Sequence, residues 1–83
     1  MNIRVLFFAS ARELVGLDEY EVQLPSGSDT TALLQALYER WPLLEAHMRS
    51  CVLALNQEFV EKTESPLLQD GNEVAIIPPI SGG

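Results

Sequence analysis

Eighty-three residues, 47% of them apolar, form one small domain spanning 1–83 rather than a disordered chain. Twelve acidic residues against five basic ones give a formal net charge of −7, which argues against nucleic acid and suits either solubility or a partner with a basic surface. No run of about 20 apolar residues offers a membrane span. The opening "MNIRVLFF" does not have the form of a signal peptide, and a single cysteine, Cys51, cannot build a disulfide or a Cys-based metal cluster, so the expected setting is a reducing cytoplasm.

The first element in "NIRVLFFA" is a strand, with Ile3, Val5 and Phe7 on one parity and Arg4, Leu6 and Phe8 on the other. Both parities are largely apolar, which predicts a central strand covered on both sides at one end. "SARELVG" predicts a short helix capped by Ser10 and closed by Gly16. "YEVQLP" alternates Tyr20, Val22 and Leu24 against Glu21 and Gln23, a half-buried strand that pairs back on the first as an antiparallel hairpin.

The strongest helix signal is "SGSDTTALLQALYERWP", with Ser28 or Asp29 as N-cap. Leu33, Leu34, Leu37, Tyr38 and Trp41 fall on one stripe, and Pro42 ends or kinks the run. Tyr38 and Trp41 are read as helix-to-sheet packing, and "LLEAHMRS" adds a further turn or two. His47 is expected on a helix surface with no metal role, and Cys51 as a small buried hydrophobe. "CVLALN" and "QEFVE" are strands around a turn at Asn56-Gln57, Asp70-Gly71 is a second turn, and "EVAIIP" is the last strand. The sum is an α+β roll, with one mixed sheet of about five strands grasping one main amphipathic helix. If the first and last strands are neighbours, they run parallel or are joined by a crossover.

The end of the sequence, "PPISGG", raises a chemical question. Pro78 and Pro79 cannot continue a sheet and favour an extended path, while Gly82 and Gly83 can thread a channel as wide as a backbone. A terminal carboxylate becomes an acyl donor once adenylated, and a sulfur nucleophile can then convert it to a thioester or thiocarboxylate. Glycine leaves both faces of that carbonyl open. The competing reading is a terminal segment without a role.

"VLFFASARELVG", "LNQEFV" and "DGNEVAIIPPISGG", taken in order, resemble the small, sulfur-carrying subunits of molybdopterin synthase. The resemblance implies a ubiquitin-like β-grasp fold, with 78–83 as a functional C-terminal tail. It implies that Gly83 is adenylated with ATP by a ubiquitin-activating-like adenylyltransferase and then thiocarboxylated from a persulfide donor. It further implies that the tail enters a larger catalytic subunit, in a heterotetramer of two small and two large chains, and donates sulfur to cyclic pyranopterin monophosphate. Carried over by position, Gly83 bears the sulfur, Gly82 permits threading, and Pro78, Pro79, Ile80 and Ser81 line the insertion channel. No permanently bound cofactor or metal is expected. Phe8, Phe59 and Ile77 are the expected docking residues, set against an ordinary core role for each. Arg12 is expected either to meet a partner carboxylate or to be a solvated surface arginine. The same tail chemistry also suits a carrier for thiazole, cysteine or tRNA thiolation, or a protein modifier. A β-grasp interaction module would tolerate loss of the two glycines.

Overall fold

The computed structural model describes residues 1–79. In chain order the elements are β1 (Asn2–Phe7), α1 (Ala9–Val15), β2 (Glu19–Gln23), α2 (Thr30–Arg40) and α3 (Leu43–His47). A 3₁₀ turn (Met48–Ser50) follows, then β3 (Val52–Leu55), β4 (Glu58–Val60) and β5 (Glu73–Ile77). The five strands form one mixed sheet in the order β2-β1-β5-β3-β4. The expected hairpin of β1 and β2 is antiparallel, with Ile3 opposite Val22 and Val5 opposite Tyr20. The first and last strands are neighbours and parallel, with Val5 opposite Val74 and Phe7 opposite Ile76.

Strand alternation sends Ile3, Val5, Phe7, Val74 and Ile76 to one face, where they meet Leu33 and Leu37 of α2 and Leu44 of α3. Each of these side chains is at most 2% exposed, and burial of an aliphatic side chain contributes about 1.5–3 kcal/mol. Trp41 closes one end of this core, edge-on to Phe7 at 5.6 Å and to Tyr20 at 4.9 Å between ring centroids. Tyr38 is half-buried against the same core, so both aromatics of the α2 stripe pack as expected.

Local chemistry sets the boundaries. Asp29, not Ser28, caps α2: its carboxylate accepts from the Ala32 N–H at 2.9 Å. That bond, helped by the nearby Ser65 hydroxyl, holds the Asp29 carboxyl below its ordinary range. Ser28 instead donates to the Pro25 carbonyl at 2.7 Å. Gly16 closes α1 in the left-handed conformation, its N–H donating to the Arg12 carbonyl at 2.7 Å. Asn56 and Gln57 both have positive φ, as a two-residue hairpin turn between right-twisted strands requires.

Three expectations need correction. Ser10 does not cap α1: Phe8 occupies the cap position, and the Ser10 hydroxyl is hydrogen-bonded to His47 Nε2 at 2.9 Å. Ala9 has turned the chain sharply with φ 48, so Ser10 already lies inside the helix and faces α3. His47 is accordingly half-buried between α1 and α3 rather than free on a surface. Finally, β1 is central but covered on only one face: on the other, Arg4 and Phe8 are exposed and Leu6 is half-buried, since every described helix contributing to the core packs on the opposite side. The apolar parity that implied double coverage is therefore surface.

Candidate functional site

The uncovered face of the sheet gathers the apolar residues that the core does not use. Reading across the register, Leu6 of β1 lies beside Ala75 of β5, Ala75 beside Ala54 of β3, and Ala54 beside Phe59 of β4. One step toward the C-terminal end of β5, Ile77 lies beside Val52. Phe8 continues the Leu6 parity with an extended backbone and donates its N–H to the Ile76 carbonyl at 3.3 Å. Ala54 and Ala75 form a floor too short-sided to project, only 5% and 8% exposed. Larger groups flank it: Phe59 is 76% exposed, Phe8 46% and Val52 42%. Exposed aromatic and branched side chains gathered on one sheet face make this the candidate interaction surface.

The far end of this face is charged. Arg4 donates from Nε to Glu19 at 2.7 Å and lies 4.0 Å from the Glu73 carboxylate. Glu21 is its cross-strand neighbour on β2. The face thus passes from an ionic end at the start of β5 to an apolar end where β5 stops.

The structure brings Phe8, Phe59 and Ile77 onto this one face, with Ile77 half-buried among its neighbours. Sequence reasoning missed Val52 and Leu6. β3 reads Val-Leu-Ala-Leu, apolar on both parities, and only its pairing with β5 shows that Val52 and Ala54 point outward. Arg12 is exposed on α1 and pairs within the chain with Asp18 at 3.4 Å. Of the expected tail, Pro78 is buried and Pro79 exposed. Pro78 continues the buried parity of Val74 and Ile76. Ile80, Ser81, Gly82 and Gly83 lie outside the described residues.

Cys51 is 1% exposed, its thiol donating to the His47 carbonyl at 3.3 Å, and burial pushes its pKa up. A thiol so placed is a poor nucleophile. A groove of about 490 Å³ lies on the helix-covered side, between α2 and the segment after β4. Leu34, Tyr38, Leu53 and Val60 line it, and Lys62 bonds the Arg49 carbonyl beside it. It contains none of the expected docking residues Phe8, Phe59 and Ile77. Among the described residues, no group of three or more His, Cys, Asp or Glu is placed to hold a metal ion. No helix among them is long and apolar enough to cross a membrane.

One helix grasped by a five-stranded sheet, with parallel first and last strands at its centre, defines the ubiquitin-like β-grasp class. SAMP1 from Haloferax volcanii has this fold, superposing with a TM-score of 0.88 at 24% identity over 100% of both chains. The ThiS family model matches residues 5–83, and the chain belongs to that family. It is 47% identical to the molybdopterin synthase sulfur carrier subunit of Chlamydomonas reinhardtii, over 100% of both chains. It is 50% identical to the molybdopterin synthase sulfur carrier subunit of Arabidopsis thaliana, covering 100% of this chain and 84% of that one.

Proposed function

We propose that this protein is the sulfur carrier subunit of a molybdopterin synthase and delivers sulfur from a thiocarboxylate on Gly83. The observation that supports this best is the similarity to sulfur carrier subunits over the full length of this chain. The exposed apolar face beside the end of β5 gives such a carrier a place to be held.

The chemistry proceeds in three steps. A ubiquitin-activating-like adenylyltransferase joins the Gly83 carboxylate to the α-phosphate of ATP and releases pyrophosphate. A persulfide donor attacks the activated carbonyl and displaces AMP; a second thiol then attacks the donor's sulfur in the resulting acyl disulfide, releasing the thiocarboxylate and leaving the donor and that thiol as a disulfide. The anionic sulfur then attacks cyclic pyranopterin monophosphate inside a larger catalytic subunit, and hydrolysis returns the carboxylate. Two deliveries build the dithiolene. The body of the carrier acts as a handle: Phe8, Val52, Phe59 and Ile77 dock on the large subunit, and the C-terminal segment that carries Gly83 enters its pocket. Two small and two large chains form the working assembly in the cytoplasm.

Intact-mass measurement after incubation with ATP, the activating enzyme and a sulfur donor tests this reading. The expected result is replacement of one oxygen by sulfur, followed by conversion of the pterin precursor when the large subunit is added. Adding one residue after Gly83 is expected to abolish both changes without lowering Tm. Full transfer by the extended chain, or sulfur passing only to another acceptor, overturns the assignment.

A further inference from the structure

We propose that Pro78 is a positioning residue, whose buried ring fixes the point from which the delivering arm leaves the body, so that the arm begins at Pro79. The inference rests on the carrier reading above and concerns how β5 ends. Val74 and Ile76 are fully buried on the helix-covered face, and strand alternation places position 78 on that same side. Pro78 is buried there, while Pro79 is exposed. Val52 is opposite Ile77, which sets the buried Cys51 beside position 78 across the ladder. Phe8 bonds the Ile76 carbonyl from the other side. The last strand is thus held up to its end, and the buried ring of Pro78 follows it.

Two adjacent prolines therefore do different work. Pro78 is buried against the body; Pro79 is the first exposed residue after it. Measured from this anchor, Gly83 is five residues away, a reach of at most about 17 Å. Releasing the anchor would let the end of β5 fray and enlarge the volume that the reacting carbonyl samples. That lowers its effective concentration at the acceptor. Phe8, Val52 and Phe59 lie on the opposite face and outside β5, so most of the docking surface is kept and only Ile77, at the loosened end of β5, shares the change.

The test uses the full chain, thiocarboxylated and then mixed with excess large subunit in single-turnover transfer, below the Tm of every variant. Pro78→Gly is expected to lower Tm and to reduce the saturating rate about tenfold, with a smaller change in the half-saturating concentration of large subunit. Pro79→Gly is expected to leave Tm at the native value. Pro78→Val keeps a buried apolar side chain and is expected to recover both Tm and rate. Native rate and Tm in Pro78→Gly overturn the proposal, as does an equal loss of Tm in Pro79→Gly. A Pro78→Val chain that recovers Tm but transfers slowly returns the ring to the partner's channel and also overturns it. A native chain that forms a thiocarboxylate but passes no sulfur is a different result: it sinks the carrier reading, and this inference with it.

Discussion

The two faces of the sheet are built from nearly the same kinds of residue and have opposite fates. On one, Ile3, Val5, Phe7, Val74 and Ile76 disappear beneath α2 and α3. On the other, Leu6, Phe8, Val52, Phe59 and Ile77 stand beside two alanines with no helix over them. An apolar residue on the first face stabilises the fold, whereas one on the second leaves surface to be buried by something else. The difference teaches that apolar character alone does not separate core from interface in a domain with one layer of helices.

Substitution at matched positions sharpens this contrast. The largest effect is expected from Ile76→Ala, which empties a fully buried site and should cost about 2–5 kcal/mol. That is a large share of the roughly 5–15 kcal/mol typical of a folded domain. Urea unfolding should show a lower midpoint with little change in slope. Phe59→Ala, at 76% exposure, should change stability by no more than about 0.5 kcal/mol. It should weaken binding to the large subunit about tenfold, as a docking aromatic does. Phe8→Ala should fall between the two in stability and match Phe59→Ala in binding. If Phe59→Ala binds as tightly as the native chain in a titration, the uncovered face is not the docking face.

The smallest effect is expected at the cap of α2. Its hydrogen bonds hold the Asp29 carboxyl below its ordinary value of 3.8. As pH falls, the unfolded chain takes up the proton first, so the folded state loses ground. The contribution of Asp29 is complete above that ordinary value and fades as pH falls through the lower folded one. Asp29→Asn keeps a capping oxygen but cannot titrate. Its Tm should therefore lose less than the native Tm does as pH falls from 5 into the acid range.

Much of this was legible from the residues. Each strand and the main helix follow from alternation and a 3.6-residue stripe, and Gly16, the Asn56-Gln57 pair and Gly71 mark turns with the positive φ that such residues tolerate. Phe8 and Ile77 could be singled out by their parity and Phe59 as an aromatic, and all three lie on the uncovered face. The sequence could not say which parity faced the helices. A strand apolar on both sides, such as Val52–Leu55, is consistent with either orientation, and one register step exchanges the two faces. The parallel pairing of β1 with β5 and the antiparallel pairing of β3 with β5 made that choice. The same long-range pairing buried Pro78 and exposed Pro79. Local backbone preferences are short-ranged and read directly from residue types, whereas burial depends on what another part of the chain brings to the same place.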